Sequence, residues 1–290
     1  MKKLVLLAMA TMVVFVACKK DGIYNPKKKI SKITTIEQYN NPDYSDDTNT
    51  YIFKWDKNKL LHMVSPDKVD NFVYDKSGRL MRVECIDKEI ATWYEYDGAK
   101  LSKVISYYGG TECSTEYALE YDGKKLVKIT ITQKAATPSP RYYSINPQQS
   151  PLAIICDPAI AQVIENDIAV AETQSTHKAS FASTVSFEWS GKNISKVVYD
   201  YGEIKYEYEL TYDDKINPLN GFLGLEFDEC YQGQYIYKNV NNIKTMKRIN
   251  SSDPMSMTYE YTYDGKWPVT IAQTYFQSQI RYIQQIEYKK

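Results

Sequence analysis

Histidine is nearly missing from this chain, with only His62 and His177 among 290 residues. No Gly-x-Ser-x-Gly, His-Glu-x-x-His, Cys-x-x-Cys or phosphate-loop pattern compensates, so the sequence offers no catalytic residue, no metal site and no cofactor cradle, and a non-enzyme is expected. Net charge is also lacking: 36 basic residues balance 36 acidic ones. No field over the whole surface attracts nucleic acid. Past residue 18 no apolar run is long enough to cross a bilayer as a helix. Phenylalanine is scarce, with 8 residues against 27 tyrosines.

The apolar run that does exist lies at the start. MKKLVLLAMATMVVFVAC has two lysines, an apolar stretch and a small residue before cysteine, the layout of a secretory signal over residues 1–17. Phe15-Val16-Ala17-Cys18 resembles the bacterial lipobox. That resemblance implies cleavage before Cys18, acylation of its new N-terminus (palmitate and companion chains) and a membrane partner reached through the lipid. Lys19 after the cysteine favours the outer membrane under the enterobacterial sorting rule; the periplasmic and surface leaflets both stay open. Residues 18–29, with Lys27-Lys28-Lys29, read as a lipid-anchored tether, and residues 30–290 as a single domain.

A repeat runs through that domain. FKWDKNKLLHMV, FVYDKSGRLMRV, YEYDGAKLSKV, LEYDGKKLVKI, FEWSGKNISKV and YTYDGKWPVTI share an aromatic, a polar turn and an apolar-basic strand, and LTYDDKINPL and YIYKNVNNIKTM are weaker copies. The anchor aromatics are Trp55, Tyr74, Tyr96 and Tyr121, then Trp189, Tyr212, Tyr237 and Tyr263. They stand 19 to 26 residues apart except across one gap of 68. That period fits two strands and two turns and leaves no room for a crossover helix, so neighbouring strands are antiparallel. Asp-Gly pairs supply the positive φ of tight hairpins. Residues 28–39 resemble only the second half of a unit and 280–289 only the first; their pairing closes the sheet. The expected fold is all-β: a meander of about eight YD-like hairpins, about eighteen strands, closing into a large β-barrel.

A wide antiparallel barrel also admits a membrane-spanning reading. A tyrosine-rich apolar face, terminal Lys289-Lys290 and an anchor already supplied by lipid favour a barrel outside the bilayer. Residues 132–184 break the repeat. Asp157-Pro158 is a helix start, and Ile160, Val163, Ile164 and Ile168 recur at helical spacing, so one amphipathic helix over 158–172 is expected to plug or cap the barrel.

Tyr74-Asp75-Lys76-Ser77-Gly78-Arg79-Leu80 resembles the core of the YD repeats of Rhs and teneurin shells. With the lipobox and the high tyrosine content, the chain resembles a Bacteroidetes lipoprotein family of unknown function described as having a porin-like fold. The resemblance implies a barrel and carries no catalytic residues.

Cys85, Cys113, Cys156 and Cys230 follow Cys18. Sequential hairpins put Cys85 and Cys113 roughly 14 Å apart, too far for a direct bridge. A tyrosine stripe suits a half-wet interior, so the anchors read as core. Aromatics off that face, Trp93, Tyr107, Tyr108, Tyr142 and Tyr143, are the binding candidates. The expected role is non-catalytic binding of a ligand such as a glycan. The alternatives are a structural or protein-interaction component of the envelope and, more remotely, a glycan-active enzyme using two carboxylates.

Overall fold

The computed structural model describes residues 20–39, 45–66, 68–85, 90–108, 113–135, 182–200, 202, 205–223, 238–249, 256–275 and 280–290. They form sixteen strands. In the first half these are β1 (Ile30–Tyr39), β2 (Asp47–Asp56), β3 (Lys59–Val64), β4 (Val69–Tyr74), β5 (Leu80–Cys85), β6 (Ile90–Asp97), β7 (Lys100–Tyr108) and β8 (Cys113–Asp122). The second half holds β9 (Lys125–Ala135), β10 (Ala182–Ser190), β11 (Asn193–Asp200), β12 (Lys205–Ile216), β13 (Asn241–Ile249), β14 (Ser256–Asp264), β15 (Trp267–Tyr275) and β16 (Ile280–Tyr288). Each strand pairs antiparallel with its neighbours in sequence, and β1 pairs with β16 from Ile30↔Tyr288 to Tyr39↔Ile280, so the meander closes into a barrel. The two half-units do meet.

Sixteen strands rather than about eighteen follow from the weaker copies. LTYDDKINPL supplies β12, YIYKNVNNIKTM supplies β13, and the two pair with each other, so seven hairpins plus the β1–β16 closure make the wall. The helix expected over 158–172 lies outside the described residues.

Strand alternation sorts the side chains. Along β12, Tyr206, Tyr208 and Leu210 are buried while Lys205, Glu209 and Thr211 are exposed, and β2, β6 and β14 repeat the pattern. The buried faces of the strands form one continuous apolar cluster. Burial contributes roughly 1.5–3 kcal/mol for each large side chain. The other face carries opposite charges across the ladder: Lys128 faces Glu120 at 3.1 Å, Lys32 faces Glu287, and Lys196 reaches Glu207 at 2.8 Å. Such exposed pairs stabilise by at most about 1 kcal/mol each. Their larger effect is on register, since a one-residue slip would turn these charged side chains toward the core.

A round wall of sixteen strands would enclose a lumen about 25 Å across, more than wall side chains alone fill. The connection after β12 helps fill it. Leu219, Phe222 and Leu223 are buried in the core, with Phe222 4.7 Å from the ring of Tyr24 and 6.2 Å from that of Phe72. Away from the tight turns the inner face becomes polar, with Thr92 Oγ1 3.1 Å from Ser106 Oγ and the buried Lys68–Asp70 pair at 3.7 Å.

All seven hairpins carry a bulge just before the rim aromatic. Glu95 faces Lys103 but Tyr96 faces Leu101, and Glu120 faces Lys128 but Tyr121 faces Leu126. The extra residue makes the buried positions of the second strand run i, i+3: Leu60 and Met63, Leu101 and Val104, Ile194 and Val197. The tight loops are Gly98-Ala99, Gly123-Lys124, Gly191-Lys192 and Gly265-Lys266, each with positive φ only at the glycine, the type II′ arrangement. Lys57 fills the same slot with φ 49°.

Candidate functional site

Antiparallel meandering puts every tight turn, the start of β1 and the end of β16 at one end of the barrel. There the ladders between successive hairpins stop short, because the bulges splay the strands. The last such pairs include His62↔Asn71, Arg82↔Trp93 and Lys196↔Glu209. Three residues beyond each stands an aromatic whose polar tip caps the carbonyl left open opposite. Tyr74 Oη donates to Leu60 O at 2.8 Å, Tyr96 Oη to Leu80 O at 2.6 Å and Tyr212 Oη to Ile194 O at 2.6 Å. Trp55 Nε1 donates to Ile30 O and Trp189 Nε1 to Leu126 O, both at 2.7 Å. Tyr261 Oη donates to Ile243 O, and Tyr288 Oη of β16 donates to Pro268 O of β15. Burial pushes the hydroxyls of Tyr74, Tyr96, Tyr261 and Tyr288 above the ordinary tyrosine range.

In four of the units the basic residue at the start of the second strand lies over the ring of the next unit. Lys59 sits 5.3 Å above Tyr74, Arg79 4.5 Å above Tyr96, Lys100 5.1 Å above Tyr121 and Lys125 5.9 Å above Trp189.

One seam departs from the rule. Tyr121 Oη donates to Asp21 Oδ2 at 3.4 Å, and the same carboxylate accepts from Leu101 N at 3.0 Å and pairs with Lys238 at 2.9 Å. Asp21 N donates to Ala99 O, and Leu80 N donates to Gly22 O. Residues 20–24 are thus laid across the turn end, with Tyr24 Oη bonded to Pro218 O. Burial lowers the Lys238 pKa, and the Asp21 charge opposes that shift.

Beside this segment lies a corner built from asparagine. Asn193 Oδ1 accepts from Val240 N and Asn241 N, Asn239 Oδ1 accepts from Ile194 N, and Asn217 and Asn220 both donate to Asn239 O. Asp213 takes Asn242 and the hydroxyl of Tyr263, the anchor whose capping role has passed to Tyr261. The corner lines a cavity of about 20 Å³, bounded also by Ile33, Tyr261 and Gln284. That volume accepts one water and no larger ligand.

The outer wall offers a different surface. Trp93 is 38% exposed, faces Arg82 and Ile105 across the ladder, and has the Arg82 guanidinium 4.6 Å over its ring. Glu84 Oε2 pairs with Arg82 Nε at 2.9 Å. Tyr107, half-buried, pairs with Ala91 and so lies diagonal to Trp93 on the same face. The structure therefore brings together two of the candidates read from the sequence. Tyr108 is placed only by its backbone, opposite Cys113, while Cys18, Tyr142 and Tyr143 lie outside the described residues. Cys85 is buried. Among the described residues no group of His, Cys, Asp and Glu is placed to hold a metal ion. Asp21 and Gly22 went unread as structural residues because they sit in a stretch that looks like a tether. The asparagine corner had one legible signal, the run Asn239 to Asn242 inside the weakest repeat copy.

No family model and no curated protein matches the chain. Among solved structures, the barrel is similar to a porin-like protein from Bacteroides vulgatus, with a TM-score of 0.52 at 10% identity, over 91% of this chain and 99% of that one. The likeness shows a shared fold.

Proposed function

We propose that the protein is a non-catalytic binding module of the bacterial outer membrane, held by acyl chains on Cys18, that receives a saccharide on its outer wall at Trp93 and Tyr107. The observation carrying this reading is Trp93: a large ring exposed in the middle of a charged sheet and held by the Arg82 guanidinium stacked on it. Such a ring is preorganised to stack on a sugar, and flanking Arg82 and Glu84 supply donors and acceptors for hydroxyls.

The wall and interior support a barrel that does not conduct. A porin presents apolar residues to lipid and polar ones to its lumen, whereas here the apolar face is buried inside and the charges point outward. Each wall lysine or arginine would cost about 2–4 kcal/mol at a bilayer midplane. The porin-like neighbour is compatible with an envelope location.

A glycan array probed with the chain from Lys20 onward tests the reading; that chain retains all sixteen strands, which close on one another. At least one glycan class should bind, and Trp93→Ala should weaken it about ten-fold, as loss of one stacked aromatic predicts. A blank array, or binding indifferent to Trp93→Ala, would favour a structural or protein-interaction role.

A further inference from the structure

We infer that the turn end of the barrel is a docking surface for an anionic lipid headgroup layer, so that the barrel stands on the membrane with its tight turns down. The whole chain is neutral, yet basic residues concentrate at this end. Lys76, Lys124, Lys192 and Lys266 lie in four separate turns, and all are exposed. Lys27 joins them from the N-terminal segment, and Lys289 and Lys290 from the end of β16. Several carboxylates of this end are already engaged. Asp21 is paired with Lys238 and Asp264 with Lys28, and Asp75 binds the amides of Ser77 and Arg79 in its own turn. Exposed Asp56, Asp97 and Asp122 share this end, and Asp214 is paired with Lys215, but lysines outnumber them, so the turn end carries a basic excess that a plane of opposite charge satisfies.

Chain geometry selects a membrane as that plane. Asp21 and Gly22 are bonded to Ala99, Leu101 and Leu80 at the same end, so Lys20, two residues after Cys18 in the sequence, is held there. This orientation rests on the anchored reading above; the basic excess stands without it.

Vesicle co-sedimentation tests the inference with the chain from Lys20 onward, which carries no acyl group. It should bind phosphatidylglycerol-containing vesicles at low salt, ignore pure phosphatidylcholine, and dissociate as salt shortens the screening length below about 10 Å. Converting Lys76, Lys124, Lys192 and Lys266 together to Gln should weaken binding several-hundred-fold, at about five-fold per lysine. Converting the wall residues Lys54, Lys103, Lys128 and Lys247 to Gln should leave it within about three-fold. Unchanged circular dichroism in both variants secures the comparison. No binding to anionic vesicles, equal loss in both variants, or tighter binding to dextran sulfate than to vesicles would overturn the proposal. The anchor is tested separately, by whether Cys18→Ser full chain leaves the membrane fraction, and the saccharide site by Trp93, so each reading fails on its own evidence.

Discussion

A methyl group on Gly22 has no room. Its φ is +79°, and a Cβ there would strike the Tyr96 hydroxyl while lying 2.6 Å from Tyr96 Cζ and 2.9 Å from Arg79 Cγ. Both neighbours are committed, Tyr96 to Leu80 O and Arg79 to Gly98 O, so neither yields cheaply. Gly123 has a similar backbone, φ +55°, but nothing within 4 Å of a built Cβ. Gly123→Ala should therefore cost only the left-handed strain, about 1 kcal/mol, and Gly22→Ala that strain plus overpacking, about 2–4 kcal/mol. Lys57 is the converse case. It holds φ 49° where the other tight loops have glycine, so Lys57→Gly should stabilise by several tenths to about 1 kcal/mol. Urea midpoints of the three variants beside wild type check the order.

At the scale of the element, the heptapeptide Tyr74 to Leu80 can be explained letter by letter. Tyr74 caps Leu60 O; Asp75 accepts from the amides of Arg79 and Ser77, bonds that hold its carboxyl below the usual range; Gly78 takes φ +83°. Arg79 covers Tyr96, and Leu80 offers the carbonyl that Tyr96 caps. Except at the Tyr121 seam, each unit thus presents an acceptor to the next and caps the one before. Trp189→Phe tests this, because it keeps most of the buried ring while deleting the bond to Leu126 O. The expected loss is about 1–2 kcal/mol with an unchanged denaturant slope; no loss would reduce the cap to packing. Turns, antiparallel order and closure were legible because Asp-Gly and the aromatic recur at a fixed period. The bulge was not, since period-two reading treats Leu101 and Val104 as opposite faces, and only the repetition of Leu-x-x-Val across units betrays it. The joining of the two weaker copies was hidden because side-chain amides there replace the glycine turn. Of the candidate site, the outward placement of Trp93 followed from alternation with Tyr94, whereas the Arg82 stacked on it depends on pairing across strands that a sequence does not display.

For the whole molecule, closure makes the rim hydroxyls a shared determinant of stability. The caps run around the turn end, with Tyr288 of β16 capping Pro268 O of β15 and Trp55 of β2 capping Ile30 O of β1, while β1 and β16 close the ladder between them, so no edge is left from which the wall can fray strand by strand. Tyr74, Tyr96, Tyr261 and Tyr288 all have folded pKa values above the unfolded value of about 10, with burial the leading cause. Below that value both states are protonated and the contribution is intact; above it the unfolded chain ionises first, binds fewer protons, and stability falls as pH rises. Each such tyrosine contributes a slope of at most about 1.4 kcal/mol per pH unit. Lys238, whose folded pKa is lowered, works in the opposite direction between its folded value and about 10.4, but it is one group against four. Denaturant midpoints should stay level through neutral pH and then drop steeply above about pH 10, with tyrosinate absorbance rising in the same step as loss of β circular dichroism. A midpoint that holds to about pH 11, or tyrosinate appearing gradually in a protein still folded, would mean that the rim hydroxyls open to water one at a time and that the caps do not act as a single belt.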